Sequence, residues 1–219
     1  GKAMSRKIAA GAVALVMMAA GGAAAQERVG VRGTWGEPAN APGAFHNMEE
    51  LFPSRRIAPP ATALPLKEPT APLAFTYTYN GKTKTLEDFA ADTRTSGLLI
   101  LRGDQILHER YYMGASPDSR FISFSVGKSF VSTLIGIALA EGKIRSLDDR
   151  MIDYLPDLKG GAYEKTTIKD VLEMSSGAEF DEEYTSAKSG IAGFLGRFDA
   201  NQGGLYDYSR QFKSAHAPG

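Results

Sequence analysis

The sequence predicts an α+β fold, an antiparallel sheet with a helical subdomain. From Phe75 to Tyr112, apolar and polar residues alternate and two short turn signals interrupt the alternation. From Ser125 onward, apolar residues instead recur at helical spacing. Strands that come before the helices, rather than alternating with them, favour α+β over a parallel α/β architecture.

The N-terminus predicts export. Arg6 and Lys7 precede an apolar run from Ile8 to Ala20, and small residues follow at positions 23–25. This is the pattern of a secretory signal cut near Gln26. We therefore assign residues 1–25 to a signal peptide, of which the three residues before Met4 are a short leading extension left out of the fold prediction. The alternative is an uncleaved anchor, but the run is short for a membrane span of about 20 residues. We expect a secreted protein, in a bacterial periplasm, that meets the membrane only through this leader.

Composition excludes several classes of function. The chain has 25 basic and 25 acidic residues and no Lys/Arg-rich run, so nothing indicates a nucleic-acid partner. It has no cysteine, which rules out a disulfide framework, a thiolate nucleophile and a Cys-based metal site. The three histidines show no metal-ligand spacing, and we expect neither metal nor organic cofactor.

The elements follow in order along the chain. Residues 26–74 are rich in Pro and Gly and predict an extended arm; the folded domain is assigned to residues 75–219. A strand before Asn80-Gly81, a short capped helix at residues 85–91, and a hairpin of residues 98–102 and 105–112 should come next. The hairpin turn contains Arg-Gly-Asp, a cell-adhesion tripeptide, but a type II′ turn suffices to explain these letters.

Three helices are predicted in the second half. Residues 126–140 are apolar on nearly every side, which predicts a buried helix ended by Gly142. Ser146 should cap a helix that Pro156 stops, and Thr167 should begin another that ends at Gly177.

The start of the apolar helix, FISFSVGKSF, allows two interpretations. Gly127-Lys128-Ser129 matches the end of a phosphate-binding loop, but Ile122 stands where that loop requires its first glycine. Ser125 and Lys128 form a Ser-x-x-Lys pair, and residues three apart share a helix face. A neighbouring lysine in an apolar setting can take the serine's proton and activate it as a nucleophile. The helix N-terminus would favour a developing oxyanion.

A nucleophile elbow, Gly-x-Ser-x-Gly, is a further alternative. Ser123 occupies the place of its first glycine, and only His216 follows the serine to complete a triad. His46 and His108 lie upstream and are interpreted as surface or strand residues.

The stretch from FISFSVGKSF through EGK, SLDD and YLP to TIKDVLEMSSG resembles the β-lactamase-related serine hydrolases, which include class C β-lactamases, D-Ala-D-Ala peptidases and esterases. FHNMEELFPSRRI and FDEEY resemble the 6-aminohexanoate-dimer (nylon-oligomer) hydrolase branch. The resemblance implies a β-lactamase/transpeptidase-like fold, with Ser125 as the acylated nucleophile and Lys128 as its base. It also implies Tyr184 as a contact to an amide substrate. The expected substrates are small amides, esters or peptides.

The resemblance also implies a catalytic tyrosine after a Pro-Gly turn and closing C-terminal strands. The chain reaches such a turn at Pro218-Gly219, so we expect this to be the N-terminal portion of the domain, with the C-terminal strands missing and activity incomplete. Tyr208 is the only internal stand-in for the tyrosine. The alternative function is a non-catalytic penicillin- or peptidoglycan-binding module of the same fold.

Overall fold

The computed structural model describes residues 28–200, 202 and 204–219, so the predicted leader lies outside the described residues. The N-terminal arm is not uniform. Residues 28–52 form successive turns around a short helix, α1 (Ala41–Ala44), and a 3₁₀ turn at Met48–Glu50. Residues 53–74 run extended and largely exposed. Lys67 bridges to the second hairpin through backbone hydrogen bonds with Asp104 and Ile106 of 2.7 and 2.9 Å.

Two antiparallel hairpins confirm the predicted strands. Strands β1 (Thr76–Tyr79) and β2 (Lys82–Thr85) form one two-stranded sheet, and β3 (Gly97–Arg102) and β4 (Gln105–Tyr111) form the other. Asn80 and Gly81 both have positive φ, at 50° and 72°, as a type I′ turn requires. Gly103, with φ 60°, supplies the positive φ at the first position of the second turn.

Helix α2 (Leu86–Asp92) joins the hairpins and begins with the predicted capping box. The Thr85 hydroxyl accepts from the Asp88 amide, and the Asp88 carboxylate accepts from the Thr85 amide at 2.8 Å. These bonds satisfy donors that the first turn of a helix otherwise leaves free.

Helix α3 (Gly127–Ala140) forms where it was predicted, but the prediction that it is buried is wrong for the described residues. None of its residues is buried, and Phe130 and Leu134 are 68% and 63% exposed. A helix that is apolar all round needs packing partners on every side, and no layer of the described residues covers this one. Gly142 ends it as predicted, with φ 71°: the amides of Gly142 and Lys143 donate to Leu139 and Ala138.

The helix predicted between Ser146 and Pro156 does not form. The segment makes two 3₁₀ turns, Met151–Asp153 and Pro156–Leu158. Arg150 is extended and forms a β-bridge with Thr167. On either side of this bridge, the Met151 amide donates to the Thr166 carbonyl and the Ile168 amide donates to the Asp149 carbonyl. This non-local pairing takes the backbone groups that a continuous helix would have used.

Helix α4 (Ile168–Leu172) begins at Thr167 with a second capping box, but it ends earlier than predicted. Met174, with φ 60°, closes it by a turn in which the Ser175 amide donates to Asp170 at 2.8 Å. Gly177 has another role: a Cβ there would lie 2.4 Å from the His216 carbonyl oxygen, so glycine permits the close pairing with residues 214–216. Helices α5 (Gly190–Asp199) and α6 (Leu205–Ser209) were not predicted.

The buried apolar side chains of the described residues are few. They are Ala44, Leu86, Ala90, Ile106, Leu158, Ala162 and Ile168. None of the described helices combines the length and apolarity that a membrane span requires.

Candidate active site

Ser125 and Lys128 lie together at the start of α3. Ser125 is the central residue of a 3₁₀ turn, Phe124–Val126, that continues directly into the helix, and Lys128 is the second helical residue. Lys128 Nζ donates to Ser125 Oγ at 2.9 Å. Both side chains are exposed in the described structure. The structure therefore brings together the two atoms that proton transfer between a serine and a lysine requires.

The residue before Ser125 has an unusual backbone. Phe124 adopts the left-handed region, with φ 43°, which typically costs about 1–3 kcal/mol for a residue other than glycine. Its ring contacts Phe45 at a centroid distance of 5.3 Å and Trp35 at 6.4 Å. Sequence reasoning missed this feature, since a phenylalanine gives no local signal for a positive φ.

The 3₁₀ turn leads directly into the N-terminus of α3, and backbone amides at this junction donate to the carbonyls of Phe124 and Ser125. Among the described residues no side chain caps α3, and its first turn contains no acidic residue. The amides at a helix start carry partial positive charge and favour an anion or a developing oxyanion nearby. Ser125 precedes this end of the helix by two residues, which suits the chemistry of an acyl-transfer nucleophile.

Tyr184 lies in the acidic loop before α5. Its side chain is 70% exposed and its hydroxyl donates to Glu182 at 3.5 Å. Within the described residues, no hydrogen bond joins it to Ser125 or Lys128. Thr185 donates two hydrogen bonds to the neighbouring Glu183, which lower the pKa of that carboxyl. The loop is anchored where the Ile191 amide donates to the Asp181 carbonyl at 3.0 Å.

Tyr208, the internal stand-in for a relay tyrosine, packs on α5. Its hydroxyl donates to the Gly190 carbonyl at 3.1 Å, and a Cβ at Gly193 would lie 2.2 Å from that hydroxyl. Arg197 stacks over its ring at 5.1 Å. In the part of the chain that the structure describes, no hydrogen bond links Tyr208 with Ser125 or Lys128. Its position is explained by packing.

The histidines give the nucleophile-elbow alternative no support. His108 is buried in β4, His46 packs against Phe121 at 4.9 Å, and His216 is exposed near the last residue. Among the described residues none of them bonds to Ser125. The same residues contain no group of His, Cys, Asp and Glu arranged to hold a metal ion.

Comparison with known proteins assigns the family. Residues 83–198, more than half of the chain, match the Beta-lactamase family model. The chain belongs to the β-lactamase family. The matched stretch of this β-lactamase-family chain contains Ser125, Lys128 and Tyr184, whereas Tyr208 and His216 lie outside it.

The similar proteins are hydrolases. A 6-aminohexanoate-dimer hydrolase of Paenarthrobacter ureafaciens is 30% identical over 181 residues, covering 80% of this chain and 45% of the relative. A β-lactamase of Pseudomonas fluorescens is 32% identical over 98 residues, covering 43% of this chain and 23% of the relative.

A solved structure from Bacillus anthracis, assigned as a 6-aminohexanoate-dimer hydrolase, matches with a TM-score of 0.68 at 20% identity. The match covers 84% of this chain and 50% of that one, and it shows the β-lactamase/transpeptidase-like fold. This β-lactamase-family chain therefore spans about half the length of the 6-aminohexanoate-dimer hydrolases it matches.

Proposed function

We propose that this protein is an exported serine hydrolase that cleaves an amide or ester through an acyl-enzyme on Ser125. The observation that carries the proposal is the 2.9 Å separation of Lys128 Nζ and Ser125 Oγ at the N-terminus of α3. The match of residues 83–198 to the Beta-lactamase family supports it. The leader pattern at residues 4–25 supports export.

In the proposed reaction, unprotonated Lys128 accepts the Ser125 hydroxyl proton while Oγ attacks the substrate carbonyl carbon. The negative charge that forms on the carbonyl oxygen is stabilised by the partial positive charge at the N-terminal end of α3. When the tetrahedral intermediate collapses, the carbon–nitrogen or carbon–oxygen bond breaks and the leaving group takes the proton from Lys128. Water then attacks the acyl-enzyme, gives a proton to Lys128 and releases the acid, and the Ser125 hydroxyl is restored.

The proposed proton transfer between Ser125 and Lys128 would be completed by a third group, a relay tyrosine. Among the described residues no tyrosine hydroxyl bonds to Ser125 or Lys128, and Tyr208 is held on α5. We propose that a relay tyrosine comes from a part of the family fold that this chain does not span, because the chain covers 45% of its aminohexanoate-dimer hydrolase relative.

We propose a small linear amide as the substrate class, with Tyr184 as a contact to the amide. The identity to a 6-aminohexanoate-dimer hydrolase over 80% of the chain supports this choice over a β-lactam. Assays of the linear aminohexanoate dimer, a short-chain nitrophenyl ester and a chromogenic cephalosporin, run side by side, test it. Dominant cephalosporin turnover would contradict the linear-amide assignment.

The nucleophile is tested by fluorophosphonate labelling of the protein expressed from its full coding sequence, read by intact mass. We expect one adduct, lost in Ser125→Ala. Ser129→Ala is the matched control, since Ser129 lies on the same helix and also belongs to the phosphate-loop interpretation. An adduct that persists in Ser125→Ala, or no adduct at all, would overturn the proposal. A labelled protein that turns over none of the three substrates would favour the non-catalytic penicillin- or peptidoglycan-binding module.

A further inference from the structure

The backbone just before Ser125 is held in an unfavourable conformation. Phe124 is left-handed, at φ 43°, and the chain turns there from an irregular segment into the 3₁₀ turn that carries Ser125. A bulky L-residue adopts this region only where its surroundings over-determine it. Phe124 is also 58% exposed, so general burial does not hold it, and specific contacts must.

Those contacts come from the N-terminal segment. The rings of Trp35 and Phe45 both pack against Phe124 and also against each other, at 6.2 Å. The Phe45 carbonyl accepts a hydrogen bond from the Ile122 amide at 2.9 Å, which fixes the chain two residues before Phe124. The N-terminal segment therefore holds both the Phe124 side chain and the backbone just before it.

Trp35 is itself fixed from two sides. Its indole Nε1–H donates to the Asp199 carboxylate, at the end of α5, at 2.8 Å. Its ring meets Phe198 edge-on at 6.4 Å. The turn that carries Trp35 is held by buried Asn40, whose side-chain amide donates to the Thr34 carbonyl at 2.8 Å. Trp35 therefore connects α5 to the 3₁₀ turn that carries Ser125.

We propose that Trp35 and Phe45 are positioning residues that hold Phe124 in its left-handed conformation and thereby aim Ser125 Oγ at Lys128 Nζ. This inference rests on the proposed function, because it concerns the same nucleophile. Within the described structure, neither aromatic side chain hydrogen-bonds to Ser125 or Lys128, and each acts through its ring contact with Phe124. A misplacement of about 1 Å at a reacting group can cost about 100-fold in rate, so loosening this turn should slow acylation strongly.

The test measures fluorophosphonate acylation of Ser125 as a function of probe concentration, in the protein expressed from its full coding sequence. Rates are normalised to the folded fraction from circular dichroism. In Trp35→Leu and Phe124→Ala we expect the maximal acylation rate to fall by about 10- to 100-fold, while the half-saturating probe concentration stays unchanged. Trp35→Phe keeps a ring against Phe124 and should retain most of the rate. Phe212→Leu, in the separate cluster with Phe180 and Tyr208, is the matched control for loss of an aromatic ring and should acylate normally.

The comparison of two variants at position 124 separates positioning from simple packing. Glycine adopts the left-handed region readily, whereas alanine does not, so Phe124→Gly should acylate faster than Phe124→Ala. Adding Trp35→Leu to Phe124→Gly should cause little further loss. If the Phe124 ring served only to stabilise the fold, Phe124→Gly would be more damaging than Phe124→Ala, because glycine gives the unfolded chain more conformational freedom.

Two results would overturn the inference: acylation of Trp35→Leu at the unaltered rate, or Phe124→Gly no faster than Phe124→Ala. Both results differ from failure of the proposed function. In that case the unaltered protein itself forms no Ser125 adduct, and the positioning role is then also contradicted.

Discussion

At the scale of single residues, the candidate site is concentrated in five consecutive residues, 124–128. Phe124 sets the direction of the chain, Ser125 offers the hydroxyl, and Lys128 reaches back to it. The Ser-x-x-Lys spacing alone predicted that the serine and lysine would meet, because residues three apart share a helix face. The conformation of Phe124 could not be predicted, because it depends on rings more than 70 positions earlier in the chain.

The role of Lys128 gives a prediction at this scale. Lys128→Gln keeps a long polar side chain beside Ser125 but removes the amine that accepts the serine proton in the proposed mechanism. Acylation by a fluorophosphonate should slow by about 10²- to 10⁴-fold, the usual contribution of a general base. The acylation rate is measured by quenching the labelling reaction at successive times and reading the adduct by intact mass.

Lys143→Gln is the control, since Lys143 follows the other end of α3 and pairs with Glu141. Equal rates in the unaltered protein and Lys128→Gln would remove Lys128 from the mechanism.

At the scale of elements, local signals succeeded where the bonds are local. The capping boxes at Thr85 and Thr167 involve residues three apart, and both helices begin where predicted. The helix predicted between Ser146 and Pro156 failed because part of its backbone bonds to Thr166 and Ile168, which leaves only short 3₁₀ turns within the segment. Helix α5 was missed although Ser189 caps it, because its glycines weaken the helical signal.

The second capping box predicts a pH dependence of stability. Hydrogen bonds from Thr167, first from its amide and then from its side chain, lower the pKa of the Asp170 carboxyl from the ordinary 3.8. A carboxyl whose folded-state pKa is lowered stabilises the fold above its unfolded-state pKa, and this contribution is lost as the pH falls through the folded-state pKa.

Asp170→Asn should therefore lower the melting temperature at pH 7, and the difference from the unaltered protein should shrink as the pH falls below 3.8. Thermal unfolding across a pH series measures it. Asp207→Asn, on short α6, provides an exposed-carboxylate comparison. A difference in melting temperature that is constant from pH 7 to pH 3 would contradict the assignment of the capping bond.

At the scale of the whole molecule, α3 is an apolar helix without a buried residue. Val126, Phe130, Leu134 and Ile137 recur at helical spacing, and all are large apolar side chains that remain exposed. We name these four residues the α3 stripe. A contiguous exposed apolar surface of this kind is unusual for a soluble domain. It remains exposed because the described residues supply no layer that packs over α3.

The α3 stripe should bind a hydrophobic dye. We expect the 219-residue chain to raise the fluorescence of anilinonaphthalene sulfonate, and the double variant Phe130→Gln/Leu134→Gln to reduce the signal severalfold. Glutamine is a good helix former, so the helical circular dichroism should be retained.

Because both side chains are exposed, the free energy of unfolding should change by no more than about 0.5 kcal/mol. Dye binding that is unaffected by the two substitutions, or a loss of stability well beyond that range, would show that the stripe is covered.

The sequence by itself determined the hairpins, their turns, the capped starts of α2 and α4, and the approach of Lys128 to Ser125. All of these depend on residues at most a few positions apart, where backbone geometry and short-range hydrogen bonds decide the outcome. Only the tertiary structure decided the exposure of α3, the 3₁₀ turns before Pro156, and the left-handed Phe124 under Trp35 and Phe45. These features depend on which distant segments pack together, and no local pattern in the sequence encodes that choice.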